Sequence, residues 1–212
     1  MEFDKKKFKV YTWKNWMVML WILNPGLAFN ELILGQRLPK ICLEDKTSKK
    51  PRWERSLVSC PHCKKLHDGR TWSTQSGTAF KNWFGLYCPA CGNVIPCLIN
   101  ATSLIILVVT FPIWYFFYKY LRKKWIIRQP KRYENLKINT ICNPFGKGSW
   151  IITGLTWGGM MFLFMTLLYP YFMGLEITLS TILIGFVVWL FGGLGFGYTM
   201  KIYMNKTVGD RF

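Results

Sequence analysis

Three long apolar runs follow residue 96. Residues 97–118, 150–173 and 180–200 contain no Asp, Glu, Lys, Arg or His. Because a helix rises about 1.5 Å per residue, each run is about long enough to cross the roughly 30 Å hydrocarbon layer of a bilayer. We therefore predict three membrane helices. Trp and Tyr residues at the ends of the first two runs are typical of the membrane interface.

An earlier apolar stretch is weaker and broken. Residues 16–23 and 27–34 flank the turn-forming sequence Asn24-Pro25-Gly26, and the second half carries Glu31. Each half is too short to span a bilayer alone, so we predict an amphipathic segment that lies in the interface. A weak, broken membrane pass is the alternative.

Short strand-like stretches, separated by turn-forming residues, lie between these regions. Residues 40–44 and 56–59 are predicted to be strands around a turn at 47–51, and 83–87 is predicted to be a third strand. Residues 36–96 are therefore expected to form a small β-rich domain.

Two cysteine motifs lie in this domain. Cys60 and Cys63 enclose Pro61-His62, and Cys88 and Cys91 enclose Pro89-Ala90, with 24 residues between the motifs. Two such turns can place four thiolates on one ion, the ligand set of a structural zinc site. The alternative is two redox-active pairs or isolated core thiols.

The other candidate ligands change this interpretation little. Four cysteines already complete a tetrahedral coordination shell, so His62 and His67 are not expected to bind the metal. The sequence contains seven cysteines, an odd number, and Cys42, Cys97 and Cys142 are scattered. A secreted disulfide framework is not expected.

Residues 60–96 resemble the zinc ribbons of many proteins, including the ribbon that bacterial prepilin peptidases carry beside membrane helices. The resemblance covers under a fifth of the chain and implies a zinc-ribbon fold with one Zn²⁺. Prepilin peptidases use a pair of aspartates at the membrane for proteolysis. Because this sequence has no matching pair, we do not transfer that activity.

The charge is strongly positive, with a formal net value of +18, in a chain that is 51% hydrophobic. Residues 119–149 contain nine basic residues and one acidic residue, Glu134, so this connector and the tail 201–212 are predicted to be cytoplasmic. Clustered cations also suit anionic lipid headgroups. The candidate lipid-contacting residues are Arg122, Lys123, Lys124, Arg128, Lys131 and Arg132.

These arguments conflict over the side of the membrane that carries the ribbon, and we favour the cytoplasmic side. A full crossing by residues 97–118 would place the ribbon outside, where its thiolates are exposed to oxidation. A cytoplasmic ribbon, which its thiols and basic residues favour, requires this segment to bend back near Pro112.

Basic and aromatic residues alternate between the cysteine motifs. Such a pattern can bind single-stranded nucleic acid by stacking, but a small ribbon also needs these aromatics for its core. We favour the core and expect no nucleic-acid partner. The residues are Arg70, Trp72, Phe80, Lys81, Trp83 and Phe84.

Glycines recur at matching depths in the last two apolar runs. If the chain folds back near residue 176, Gly154 and Gly158 lie level with Gly193, Gly195 and Gly197. Small residues let membrane helices approach closely, so we predict an antiparallel hairpin packed through these five glycines.

Taken together, the sequence predicts an α-helical multi-pass membrane protein with a small β-rich zinc-ribbon domain, located in the bacterial inner (plasma) membrane. The apolar runs contain no Asp, Glu, Lys, Arg or His, which favours a non-catalytic scaffold or accessory subunit with a protein partner in a membrane complex. The alternative is a transporter component or membrane enzyme whose catalytic groups come from a partner chain. The predicted segments are 1–35, 36–96, 97–118, 119–149 and 150–212.

Overall fold

The computed structural model describes residues 3–207, which form two compact units. The first unit comprises the described residues up to Lys50 and those from Glu54 to Ile141. The second comprises Pro51–Trp53 and the described residues from Cys142 onwards. The last five residues of the predicted cytoplasmic tail, 208–212, lie outside the described part of the chain.

A four-stranded antiparallel sheet and a separate two-stranded hairpin lie in the first unit. The sheet has the strand order β1-β2-β3-β4, and β5 pairs with β6. The predicted strand at 56–59 is confirmed, while the other two predicted strands begin two or three residues late. The bounds are Phe8–Tyr11 (β1), Cys42–Asp45 (β2), Ser56–Ser59 (β3), Leu66–Asp68 (β4), Leu86–Tyr87 (β5) and Val94–Ile95 (β6). Short 3-10 helices cover Arg52–Glu54, Gly69–Trp72 and Ile138–Thr140.

The first strand of this sheet comes from the basic N-terminal segment. Phe8 lies opposite Asp45 and Tyr11 opposite Cys42, and the Tyr11 hydroxyl donates a 2.7 Å hydrogen bond to Glu44. The sheet therefore extends beyond the predicted domain boundary at residue 36. Four alternating residues are too few to be recognised as a strand without their partner.

Between β1 and β2 the chain forms a bent pair of helices. Helix α1 (Trp16–Leu23) ends before Pro25, and α2 (Gly26–Phe29) continues into a π-helical turn at Asn30–Leu34. The direction of the chain changes by 75° between the two arms of this pair. The break lies at the predicted Asn-Pro-Gly sequence, where the Asn24 side chain accepts a 2.9 Å hydrogen bond from the Gly26 amide.

A second bent pair replaces the predicted single helix at 97–118. Thr110 alone separates helix α3 (Ala101–Val109) from helix α4 (Phe111–Tyr133). The direction of the chain changes by 100° between them. Pro112 lacks the amide hydrogen that would continue α3, but it is well tolerated in the first turn of α4. The break therefore lies beside Pro112, where a cytoplasmic ribbon requires a bend, and α4 extends through the basic residues of the predicted connector up to Arg132.

The second unit contains two helical segments that are long and apolar enough to span a membrane by length and composition. The first, Ser149–Phe172, has a mean hydropathy of 1.7, and the second, Leu179–Asn205, has a mean hydropathy of 2.1. They coincide with the runs predicted at 150–173 and 180–200. In order they are α5 (Ser149–Phe162), a π-helical turn (Leu163–Leu168), α6 (Tyr169–Phe172) and α7 (Leu179–Asn205).

Four of the five predicted glycines lie where α5 and α7 meet. Gly154, Gly158, Gly193 and Gly197 are buried, and a Cβ atom added at Gly158 would lie 3.0 Å from the Gly193 Cα. The two backbones are thus in direct contact. The prediction for Gly195 is wrong, because a Cβ there would meet nothing within 4 Å. Two residues along a helix correspond to about 200°, which places Gly195 on the opposite face from its neighbours.

Replacing Gly158 with Leu should separate the two helices. The added side chain meets backbone atoms of α7, which cannot rotate away, so we expect a loss of about 1–3 kcal/mol, as in overpacked cores. The measurement is thermal unfolding in detergent. Gly195→Leu is the matched control and should leave the midpoint almost unchanged, and equal losses for both variants would contradict this packing.

Candidate metal centre

The four cysteines lie in two similar turns. Cys60 and Cys63 belong to the connection between β3 and β4, and Cys88 and Cys91 belong to the connection between β5 and β6. The Cys60 amide donates to the Lys65 carbonyl at 3.0 Å, and the Cys88 amide donates to the Asn93 carbonyl at 2.9 Å. Each hairpin therefore closes its turn in the same way.

The similarity extends to the residue after each motif. Lys64 has φ +59° and Gly92 has φ +72°, so both turns need a left-handed backbone at the same place. Glycine adopts this conformation without steric cost, whereas lysine does not. The backbone at Lys64 is therefore strained, whereas glycine at position 92 avoids this strain in the second turn.

The sulfur atoms are spaced as a tetrahedral metal site requires. Cys60 and Cys91 have Sγ atoms 3.8 Å apart, Cys63 and Cys88 likewise, and all four sulfurs lie within 4.8 Å of one another. A tetrahedron of thiolates with metal–sulfur bonds of about 2.3 Å has edges of about 3.8 Å. A disulfide would bring two sulfurs to about 2.05 Å. The cluster thus fits one metal ion better than two oxidised pairs.

Burial divides the four thiols. Cys60 and Cys88 are fully buried, Cys91 is half-buried and Cys63 is exposed. Burial raises the pKa of Cys88 to about 12, whereas a hydrogen bond from the Asn93 backbone lowers the pKa of Cys91 to about 6. A buried thiolate needs a positive partner, which a coordinated cation supplies.

His67 lies beside the cysteine cluster, a position that the sequence did not reveal. It lies in β4, is buried, and has Nε2 3.2 Å from the Cys88 sulfur. Its ring also packs edge-on against Trp72. His67 is therefore in contact with a candidate ligand and orients it, whereas His62 is exposed. The relevant signal is alternation, since His67 pairs with the buried Val58 of β3.

The hydrophobic core beside the cluster is small. Three buried aliphatic residues, Val58, Leu86 and Ile95, surround the two buried cysteines. Trp72 adds partial cover and donates its indole N–H to the Tyr87 carbonyl at 3.3 Å. So small a core stabilises a domain only weakly, and small domains of this kind commonly gain further stability from a structural metal.

Helix α4 packs against the domain that carries the cysteines. The Trp125 indole donates a 2.6 Å hydrogen bond to the Lys81 carbonyl, and the Tyr133 ring lies 5.3 Å from that of Tyr87. Phe84 packs between Trp125 and Tyr118 of the same helix. The first half of the predicted connector is thus an integral part of the first unit.

One of the predicted lipid-contacting residues has a different role. The Arg132 guanidinium donates hydrogen bonds to the carbonyls of Phe80 at 2.7 Å and Gly77 at 2.9 Å, so it holds α4 to the loop between the cysteine motifs. Arg132 is thus half-buried and bonded within the protein, and its contact with lipid stays a prediction. The other five are exposed on α4: Arg122, Lys123, Lys124, Arg128 and Lys131.

The aromatics between the motifs make contacts within the protein. Trp83 donates its indole N–H to the Leu32 carbonyl at 3.0 Å, and Phe84 lies between aromatic rings of α4. The neighbouring Arg70 forms an ion pair with Asp68 at 2.8 Å. Phe84 thus packs within the protein, whereas Trp83 remains 38% exposed, and the expectation of no nucleic-acid partner stays a prediction.

A buried polar cluster joins the two bent helix pairs. Glu31 is fully buried, forms an ion pair with Arg37, and accepts a 2.8 Å hydrogen bond from the Asn100 amide. The Asn100 side chain donates to the carbonyls of Trp21 and Asn24 at 2.7 and 2.8 Å and caps the start of α3. We call Glu31, Arg37 and Asn100 the polar clasp.

The two turns offer a matched test of their backbone strain. Gly92→Ala should lower the stability of the domain by about 1 kcal/mol, because a Cβ there has room beside the Tyr87 hydroxyl but the positive φ remains unfavourable. Lys64→Ala, at the equivalent position, keeps a non-glycine residue and should change stability little. Chemical unfolding of both variants measures the difference. An equal loss at the two positions would contradict the equivalence of the turns.

Comparison with known proteins adds one match. Residues 11–107 match the model of a family described as a domain of unknown function, DUF8250. The matched region runs from the end of β1 to α3, and it includes the four cysteines and the polar clasp. No curated protein and no solved structure matches the chain.

Proposed function

We propose that this chain is an integral membrane zinc-ribbon protein that acts as a non-catalytic scaffold or accessory subunit of a membrane complex. The observation that carries the proposal is the cluster of four cysteine sulfurs at tetrahedral spacing in a chain with two span-length apolar helices. A four-thiolate site is closed, so it leaves no open position for a metal-bound water or substrate. Its role is therefore structural.

Zinc is the proposed ion. Four thiolates in two turns are the ligand set of structural zinc sites, and the sulfur spacing matches Zn–S bonds of about 2.3 Å. Iron also accepts four thiolates, so metal analysis of the purified protein decides between them. We expect one zinc per chain, and a protein that contains neither metal would refute the site.

The proposed docking surface is the exposed tip of the first cysteine turn. Lys64 and Lys65 are exposed there beside Cys63, and residues 61–66 contain no carboxylate. A rigid basic surface of this kind suits a protein partner with an acidic patch, since complementary charge steers association. The two lysines can be changed without touching a cysteine side chain.

The experiment is affinity purification from gently solubilised membranes, with quantification of co-purifying chains. We expect a stoichiometric partner that is lost when Lys64 and Lys65 are both replaced by Glu while zinc content is retained. The matched control makes the same replacement by Glu at Lys49 and Lys50, two exposed lysines in the turn between β2 and β3, and should keep the partner. A metal-loaded chain that purifies alone and turns over a substrate would overturn the scaffold proposal.

The proposed location is the bacterial inner membrane, with the basic residues of α4 on the cytoplasmic side. The excess of cations over carboxylates in 119–149 supports this orientation. The five exposed basic residues of α4 are proposed to contact anionic headgroups.

A further inference from the structure

Both ends of the first bent helix pair belong to the same small sheet domain. Before α1, Tyr11 of β1 pairs with Cys42 of β2. After the π-helical turn, the carbonyl of Gly35 accepts a 2.8 Å hydrogen bond from the Asn82 amide in the loop between the cysteine motifs. The chain therefore leaves this domain after β1 and returns to it within about two dozen residues.

The second bent pair is arranged in the same way. Before α3, Cys97 forms a β-bridge with Pro39, and the Leu98 amide donates to the Leu38 carbonyl at 2.8 Å. After the bend, α4 contacts the domain again at Tyr118 and Trp125. Only α3 and the first two turns of α4 lie between these contacts.

Helices α1 and α3, the arms before the two bends, are too short to cross a bilayer, and the longer helix α4 contacts the domain again from Tyr118 onwards. Helix α1 has eight residues and α3 has nine, which correspond to about 12 and 13 Å of helix. Half of the hydrocarbon layer is about 15 Å thick. Each arm therefore reaches no further than one leaflet.

The side chains of these arms are apolar and exposed. Trp16 is 70% exposed, Val109 75% and Phe116 77%, and many neighbouring aliphatic residues are similar. A soluble protein rarely leaves so many large apolar side chains in water. Further along α4 the exposed residues become basic at Arg122, Lys123 and Lys124. An apolar surface that borders on cations matches the acyl and headgroup layers of one leaflet.

We propose that the first unit is a monotopic platform whose two bent helix pairs enter a single leaflet and return, so that the cysteine domain and the basic half of α4 lie on the same side of the membrane. The occupant of the exposed apolar surface is the acyl region of that leaflet. The inference rests on the proposed membrane location, and it reduces the membrane crossings to the two helical segments of the second unit.

The polar clasp lies where the two bent helix pairs of this platform meet. Irregular backbone and ionisable groups are tolerated at membrane depth only where protein buries them. Glu31 and Asn100 are fully buried. Glu31 accepts a hydrogen bond from the Asn100 amide, and the Asn100 side chain donates to the carbonyls of Trp21 and Asn24 at the break after α1. The cluster thus protects the polar groups where the two bent pairs meet.

Epitope accessibility in the full-length protein tests this topology. A short tag is inserted after Lys49, after Asn135, or between Gly174 and Leu175, and antibody binding is compared in right-side-out and inverted vesicles. All three sites are exposed, and each variant is first shown to retain the metal content of the unmodified protein. We expect the tags at 49 and 135 on one side and the tag at 174 on the other.

The outcomes separate this inference from the proposed function. Tags at 49 and 135 on opposite sides would overturn the monotopic platform, although the protein would remain in the membrane. Release of the whole chain by alkaline carbonate would instead refute the membrane location itself.

A benzophenone amino acid in place of Phe116 identifies the occupant of the apolar surface. Crosslinking to acyl chains supports the platform. A crosslinked product of twice the chain mass, or one that contains another protein, would assign the surface to a second copy or a partner.

Discussion

Replacing Cys88 with Ser should unfold the small sheet domain while the helices of the second unit persist. Binding to a structural zinc site is coupled to folding, and in isolated fingers it contributes on the order of 10 kcal/mol. Cys88 is fully buried, and its sulfur lies 3.8 Å from that of Cys63 and 3.2 Å from His67. A hydroxyl at this position is a poor zinc ligand. The few aliphatic residues beside it cannot offset the loss.

Hydrogen exchange followed by mass spectrometry measures this effect region by region. We expect protection to be lost in β3 to β6 of Cys88→Ser and retained in α7. Cys142→Ser, which changes an exposed cysteine outside the cluster, is the matched control and should keep both metal and protection. A Cys88→Ser protein with normal metal content and intact protection would exclude a four-cysteine site.

Replacing Glu31 with Gln should destabilise the first unit by about 3–5 kcal/mol, because it leaves the largely buried charge of Arg37 without its carboxylate. The Gln side chain keeps nearly the same volume and can still accept the hydrogen bond from the Asn100 amide. The loss therefore reports the charge and not a cavity. Thermal unfolding in detergent, followed through the first unit, is the measurement.

A more exposed ion pair gives the control for this variant. Glu54 lies 3.9 Å from Arg70, and its side chain is 28% exposed. Ion pairs near the surface contribute about 1 kcal/mol or less, so Glu54→Gln should have a small effect. If Glu31→Gln is as mild as Glu54→Gln, the polar clasp does not hold the bent helix pairs together.

The features that the sequence revealed are local or periodic. The cysteine motifs were recognisable because each turn brings two thiols together within four residues, and the structure places all four sulfurs in one cluster. The glycines of α5 and α7 recur every four residues, the spacing that returns a side chain to the same helix face. Gly195 was misplaced because depth was considered without the angular position on the helix.

The features that the sequence did not reveal depend on distant partners. Strand β1 is recognisable only through β2, which lies more than 30 residues away. Glu31 appeared as a lone charge in a weak apolar run, although its partner Asn100 lies 69 residues along the chain. Arg132 was counted with the solvated cations because composition cannot show which guanidinium is turned toward the backbone carbonyls of a neighbouring loop.

The break at Thr110 illustrates a limit of averaging. Residues 97–118 contain no charged residue, and a hydropathy window averages over them, so it cannot detect a change of direction inside the segment. Pro112 was the only local sign, and it is compatible with either a kink or a new helix. The deciding evidence is the hydrogen bond from the Trp125 indole to the Lys81 carbonyl, which shows that α4 returns to the domain that carries the cysteines.

The contacts of α4 also determine the order in which the protein can mature during translation. The ribosome releases the cysteine turns before Trp125, Arg132 and Tyr133, so Tyr87 and Phe84 of the nascent chain are still uncovered when the four cysteines emerge. Only when α4 emerges are these rings covered. A nascent chain that stalls before residue 125 would thus leave these two aromatic rings exposed, and transiently exposed hydrophobic surface of this kind is prone to aggregate and is bound by chaperones.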